Sequence, residues 1–594
     1  MRLSLGGGER MRQRACVRGG RESRALLLRR PAPFLLVAIV ALGGFLRVHR
    51  IGAQGLWLDE AFSVWLGRQP VRQMLGWLVR IDQHPPLYYG ILHLWMRLGD
   101  GEAVVRGLSA LCGTLTIPVM YLLGRRLADD GVGLLAALIL AVSPFHVRFA
   151  QETRMYALLA LNASLALYAL VRLSADRRAA EMPLGRQFVD AWRSRRTTRH
   201  PRLSLRAIET DLAWLGYVVF TTATLLSHNT AVSFPLAANL FVMGLYALQV
   251  SGSRFQVSRS PNLKPETLKP ETISAVAGYR SQVSGSRNLK PETLKPGTSL
   301  FLRNWLLAQA AVFLLWSPWL PAFVAQSAGV YREFWLPPPT WQTVVETLGA
   351  FLSAFLPLPL PMSVAVWGGY AALIWGGLLH FRRHPARLGV LLVTLLVPFV
   401  GELLVSVHRP IFYERTLIWA SLPLYLLLAA GLRRVRAWPW RVAALLIMLA
   451  VNGLSLREYY VHFEKEQWDD AAAFVAQRVQ PGDLILFNAT WVQIPFDYYF
   501  RAYDREVVEH GLPVDLFDRG VLEPKMARSD LPRLREIVRG YERVWLVYSH
   551  DWYTDPDGLI PPALEEQFDL VERRRFYGLQ VLLYGGQRGD ARTE

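Results

Sequence analysis

Asp59 and Glu60 stand side by side in the motif WLDEAF, just past the first long apolar stretch, and HPPLYY follows with His84. A carboxylate pair at the mouth of a membrane helix is costly to keep, so it points to work done there. Other positions have complementary chemistry: Arg106 in an apolar segment, the run Gln151, Glu152, Arg154 and Tyr156 in QETRMY, and Tyr413 with Arg415 in HRPIFYER. A carboxylate can take a proton from an attacking hydroxyl, and a guanidinium can grip phosphate oxygens through paired N–H donors. Each also has a structural alternative. The acidic pair could cap a helix N-terminus. Glu152 and Arg154 could pair with each other, and Arg415 could be an interfacial anchor flanked by Tyr413 and Arg409.

The elements that would hold these residues are membrane helices. Of 594 residues, 52% are apolar or aromatic, and the formal charge is +19. The basic residues gather in short segments between apolar runs, which fits membrane topology and argues against nucleic acid as a partner. Eleven spans are expected near 32 to 48, 104 to 124, 132 to 149, 155 to 172, 210 to 227, 230 to 248, 300 to 320, 363 to 380, 387 to 406, 416 to 432 and 437 to 455. With the N-terminus inside, this count puts the basic tail, Arg125 and Arg126, the run Arg172 to Arg206, Arg382 and Arg383, and the segment from Arg433 all on the cytoplasmic side. The stretch Val344 to Met362, broken by Pro357, Pro359 and Pro361, is read as re-entrant or interfacial. The candidate residues then share the outer face. Arg106, costly in lipid, should turn to the protein interior or snorkel outward.

Three parts follow: a basic tail over 1–31, a membrane domain over 32–456, and an extracytoplasmic α/β domain over 457–594. The last has a helix from Trp468 to Val479 and strands at 483–487 and 544–549. Residues 249–299 repeat QVSGSR and NLKPETLKP, a low-complexity insert that cannot bury a core. The two cysteines, Cys16 and Cys112, offer no disulfide framework or four-cysteine metal site.

WLDEAF, HPPLYY, SPFHVRFAQETRMYAL and RPIFYERTLIWASLPLYLLLAAGL, in this order, resemble the prokaryotic protein-mannosyltransferase-like membrane glycosyltransferases. The resemblance spans roughly residues 32 to 460. It implies the C-type glycosyltransferase fold and a polyprenyl-phosphate sugar donor met at the outer face of the plasma membrane. By the same resemblance Asp59 is the base that activates the acceptor, with a basicity expected to be raised beside hydrocarbon. Glu60 orients it, or binds acceptor or metal. His84, Arg106, Gln151, Glu152, Arg154, Tyr156 and Tyr413 line the substrate cavity, and Arg415 holds the lipid phosphate. No HExxH or similar ligand spacing occurs, so no metal ligand is assigned; a divalent cation stays open. The expected partners are the lipid-linked donor, membrane lipids and an acceptor of unspecified class. A transporter, and a ligase or polymerase of lipid-linked glycans, are the competing functions.

Overall fold

In the computed structural model, residues 32–80, 84–175, 205–257, 296–330, 337–513 and 525–587 are described. The tail 1–31, much of the basic run 172–206 and most of the insert 249–299 lie outside them. Seven described helices are long and apolar enough to cross a membrane: Glu102–Leu127, Tyr156–Ala175, Asn229–Leu248, Leu300–Ala328, Leu360–Phe381, Pro385–Val405 and Trp438–His462. The pair Asp130–Ala141 and Pro144–Ala150, bent by 59°, adds an eighth if it is one broken span. The remaining predicted spans also fall on helices. Ala32–Val48 has 17 residues, Leu205–Leu225 carries charged residues at its start, and Ser421–Arg434 has only 14 residues. The Pro-rich stretch is a helix, Trp341–Leu352, then an extended break before Leu360.

Apolar side chains cover both the inside and the outside of this bundle. Leu426, Leu427 and Leu428 are buried, while Phe34, Val37, Leu314, Val364 and Leu404 are largely exposed, as expected where lipid is the solvent. With lipid outside, helices gain by close backbone approach at small residues. The Leu360–Phe381 and Ser421–Arg434 helices show this directly. A Cβ added to Gly431 would lie 1.9 Å from the Leu373 carbonyl oxygen, and one added to Gly377 would lie 2.2 Å from that of Leu427.

The segment after Ala32–Val48 folds into three short helices, Leu58–Arg68, Val71–Arg80 and Leu87–Trp95. After the last long helix the chain forms a five-stranded sheet from β1 (Leu484–Phe487), β2 (Val508–Gly511), β3 (Arg543–Ser549), β4 (Phe568–Phe576) and β5 (Leu579–Gln587). The order is β2-β1-β3-β5-β4, with the first three parallel and β5 antiparallel to both its neighbours. Alternation sorts the side chains. Ile485, Phe487, Trp545 and Val547 pack against Trp468–Ala476 and Thr490–Phe500. Leu484, Leu486, Val544 and Leu546 face the other way, onto Leu531–Ile537 and Ile560–Glu565. The predicted helix and both predicted strands are thus present, with the helix three residues shorter at its C-terminal end.

The glycine contacts leave no room for a side chain. Gly431→Val should cost more than the roughly 1–3 kcal/mol typical of overpacking, seen as a lower melting temperature in detergent. Wild-type melting in that variant would contradict the packing described.

Candidate active site

The acidic pair occupies the first turn of the Leu58–Arg68 helix, but the two carboxylates have opposite surroundings. Glu60 is fully buried. Its Oε1 accepts from Arg106 Nε (2.8 Å) and Thr153 N (2.8 Å), and its Oε2 from Arg106 Nη2 (2.7 Å) and Lys465 Nζ (2.8 Å). Arg106 also donates to the carbonyls of Ile51, Gln54 and Gly55, so it turns inward and ties down the loop before the helix. Burial alone would raise the Glu60 pKa; the charges of Arg106 and Lys465 and their hydrogen bonds outweigh it and hold the group at about 2.

Asp59 keeps 27% of its side chain exposed and is the accessible member of the pair. Its Oδ2 lies 3.0 Å from Arg415 Nη1 and 3.9 Å from Arg154 Nε. Arg154 further donates to the Asp59 carbonyl and to Ser63 Oγ, both at 3.3 Å. The expectation that Asp59 is made more basic is overturned. Burial does push its pKa up, but Arg154, Arg415 and His84 together pull it below the usual carboxylate value. Two guanidiniums next to one carboxylate decide the sign.

The Arg415 guanidinium sits over two aromatic rings, 4.7 Å from the centroid of Tyr413 and 5.6 Å from that of Tyr156. Tyr156 in turn lies 6.0 Å from the ring of His228, whose ring is 5.3 Å from that of His84. His84 is thereby brought to the same place as Asp59, Arg154 and Arg415. Burial first, then the nearby His84, Arg415 and Arg154, keep His228 neutral, well below its usual pKa.

Two predicted residues do other work. Gln151 is buried and donates to the carbonyls of Arg47 and His49, closing the end of the Ala32–Val48 helix. Glu152 pairs with Arg148 at 3.2 Å. Four contributors escaped the motif reading. His228 caps the short turn Asn229–Val232 and carries no motif. Lys465 completes the Glu60 cluster, and Glu466 accepts the Leu58 N–H at 3.0 Å, capping the helix that carries Asp59. Glu402, buried in the Pro385–Val405 helix, accepts from Thr416 next to Arg415 at 2.6 Å. The only hint in sequence was a charged Lys-Glu pair shortly after the last long apolar run.

Among the described residues no group of three or more His, Cys, Asp or Glu side chains is placed to hold a metal ion. What the site can do is accept a proton at Asp59 and bind an anion at Arg415 and Arg154, from groups already in contact.

The family model described as dolichyl-phosphate-mannose-protein mannosyltransferase matches residues 83–184. That stretch holds His84, Arg106, Gln151, Glu152, Arg154 and Tyr156, but neither Asp59 nor Arg415. No curated protein sequence matches the chain. Among solved structures, ArnT from Cupriavidus metallidurans is similar in two states. The apo form has a TM-score of 0.52 at 14% identity, covering 93% of this chain and 98% of that one. The form bound to undecaprenyl phosphate has a TM-score of 0.50 at 14% identity, covering 93% and 97%.

The Glu60 cluster generates a stability prediction. A carboxyl at about 2 when folded, against its ordinary 4.5, contributes stability that is complete above pH 4.5 and lost as pH falls toward 2. The melting temperature should therefore drop on acidification through that window. Glu60→Ala should cost about 3–5 kcal/mol by stranding two buried cations and should remove much of that acid sensitivity. A variant as stable as wild type would contradict the assignment.

Proposed function

We propose a transferase reaction for this chain, a polytopic membrane protein of the C-type glycosyltransferase fold. It moves a monosaccharide from a polyprenyl-phosphate donor to an acceptor hydroxyl on the extracytoplasmic face. The observation that carries the reading is the 3.0 Å contact between Asp59 and Arg415, residues 356 positions apart. A carboxylate and a guanidinium side by side in one half-buried site suit a proton acceptor and a phosphate ligand. The ArnT structure holding undecaprenyl phosphate supports the choice of a lipid phosphate as the donor's leaving group.

The acceptor oxygen attacks the anomeric carbon and its proton passes to Asp59. The bond from that carbon to the phosphate oxygen breaks, and polyprenyl phosphate leaves with its charge met by Arg415 and Arg154. Attack opposite the leaving phosphate inverts the anomeric centre. Glu60, with both oxygens already engaged, serves as a positioning residue that fixes the Asp59 backbone. His84 and Tyr156 border the donor.

The low basicity that Arg154 and Arg415 give Asp59 fits this scheme through exchange of partners. A donor phosphate competes for Arg415, and each contact it takes from Asp59 returns the carboxylate toward its ordinary basicity. The base is thus strengthened when a donor is present. Without one, the ion pair with Arg415 holds the carboxylate weakly basic.

Asp59→Asn should lower transfer from a polyprenyl-phosphate sugar by about 10²–10⁴-fold while leaving the protein folded and monodisperse. Full activity in that variant would remove Asp59 from the mechanism. Arg415→Gln should raise the KM for the donor. It should also move the acid limb of the kcat/KM profile to higher pH, because a cation that depresses Asp59 is gone. An acid limb that stays in place would contradict the coupling.

A further inference from the structure

One buried acid has no part in the scheme above. Glu402 sits near the C-terminal end of the Pro385–Val405 helix and is only 3% exposed. Its Oε1 has no hydrogen bond. What the carboxyl meets, besides apolar surroundings, is two hydroxyls, those of Thr416 and Thr230, and no cation among the described residues is paired with it. A carboxylate ion buried on these terms is costly. Each hydroxyl belongs to a segment of the candidate site. Thr416 follows Arg415 in the chain. Thr230 donates its backbone N–H to His228 Nδ1 at 3.2 Å, and its Oγ1 lies 3.0 Å from the same nitrogen. With Nδ1 accepting, the neutral His228 ring carries its hydrogen on Nε2.

The hydrogens available at Thr416 decide the state of the acid. Thr416 Oγ1 lies 2.6 Å from Glu402 Oε2 and 2.7 Å from the Tyr413 carbonyl oxygen. A carbonyl only accepts, and a hydroxyl has one hydrogen to give. With Glu402 ionised, Thr416 serves one neighbour, and the other pair of oxygens is left in close contact with no hydrogen between them. With Glu402 protonated, its O–H donates to Thr416, Thr416 donates to Tyr413, and both contacts are satisfied. The Glu402–Thr416 bond then runs opposite to the one a carboxylate would accept.

The same helix end holds the rest of the loop that carries Arg415. Ser406, one turn after Glu402, accepts the backbone N–H groups of Ile411 at 3.0 Å and Phe412 at 2.8 Å. The Phe412 ring packs edge-on against Phe399 of the helix, centroids 5.2 Å apart. The loop between Ser406 and Thr416 is thus held at its middle by a hydroxyl and a ring, and at its far end by the Glu402 carboxyl alone. That far end is where Tyr413 and Arg415 stand.

We propose that Glu402, as a neutral carboxylic acid, is a positioning residue that sets Arg415 for a lipid phosphate, and that its ionisation at alkaline pH releases the loop and weakens phosphate binding. The inference rests on the phosphate-binding role given to Arg415 above. Loss of the proton turns the Thr416 hydroxyl from Tyr413 to Glu402, and the Tyr413 carbonyl keeps only the Thr416 backbone N–H at 3.1 Å. A buried negative charge beside Thr416 then also competes with the phosphate for the neighbouring guanidinium. The other titratable groups around the acid are His228, reached through Thr230, and the rings of Tyr413 and Tyr156 on Arg415. His228 is already neutral, and burial pushes Tyr413 up to about 12, so neither accounts for a change at moderately alkaline pH.

The test uses the full chain in nanodiscs with polyprenyl phosphate as the probe. Binding is measured from about pH 7.5 to about pH 9.5, above the phosphate's own second ionisation at roughly 6. Wild-type affinity should fall about tenfold or more across that range. Glu402→Ala and Thr416→Val should each weaken binding about tenfold at the lower pH. Glu402→Gln, whose carboxamide N–H donates to Thr416 as the acid O–H does, should restore most of that loss and abolish the alkaline fall. Infrared difference spectra give a readout that needs no lipid: a protonated-carboxyl band present in wild type at neutral pH and missing from Glu402→Gln. Absence of that band, an alkaline fall that persists in Glu402→Gln, or wild-type binding in both Glu402→Ala and Thr416→Val would each overturn the proposal. Binding with the expected pH dependence, but no sugar moved from a polyprenyl-phosphate sugar by wild type, would sink the transferase reading alone.

Discussion

A carboxylate removed from water must find donors for both oxygens, and Glu60 finds four of them in three separate parts of the chain. Arg106 comes from the Glu102–Leu127 helix, Thr153 from the turn before Tyr156, and Lys465 from the segment entering the sheet. None of these donors can be withdrawn without leaving charge unpaired in a buried setting. The consequence is that the Leu58–Arg68 helix, two membrane helices and the C-terminal domain share one fixed point. Asp59 is the residue just before it, and it inherits that rigidity while staying partly exposed.

Adjacent acids thus have divided roles imposed by their surroundings. One is saturated and structural; the other faces two guanidiniums and keeps part of its surface open. The same division runs through the QETR turn. Gln151 and Glu152 are occupied with the Ala32–Val48 helix end and with Arg148, while Thr153 and Arg154 face the acidic pair. Residues adjacent in sequence point to different tasks because a tight turn fans their side chains in different directions. The aromatic rings under Arg415 complete the arrangement, since they hold a guanidinium in place while leaving its N–H donors directed elsewhere.

Much of this was legible in the sequence where the signal is local. Apolar runs of about bilayer length located helices, and short β-rich runs located β1 and β3. The motifs containing Asp59, His84, Arg154 and Arg415 marked residues that the fold does bring together. What could not be read was partnership. Lys465 meets Glu60 across 405 positions and Glu466 meets Leu58 across 408, with no spacing rule to announce either. His228 and Glu402 lacked a motif for the same reason. The sign of the Asp59 shift is not legible in the motif, because nearby hydrocarbon is a local feature whereas Arg154 and Arg415 arrive from distant parts of the chain. Arg47, buried and donating to carbonyls of Leu140 and Ala141 at the broken span, was likewise invisible. Its partner is a helix end, which has no side-chain signature.

The central claim is that one guanidinium alternates between the catalytic carboxylate and the donor's phosphate. A structure of the full chain in nanodiscs with bound polyprenyl phosphate tests it most directly. The phosphate should lie within hydrogen-bond distance of Arg415, with the Asp59–Arg415 contact lengthened beyond 3.0 Å. A phosphate seated away from Arg415, with that contact unchanged, would contradict the account.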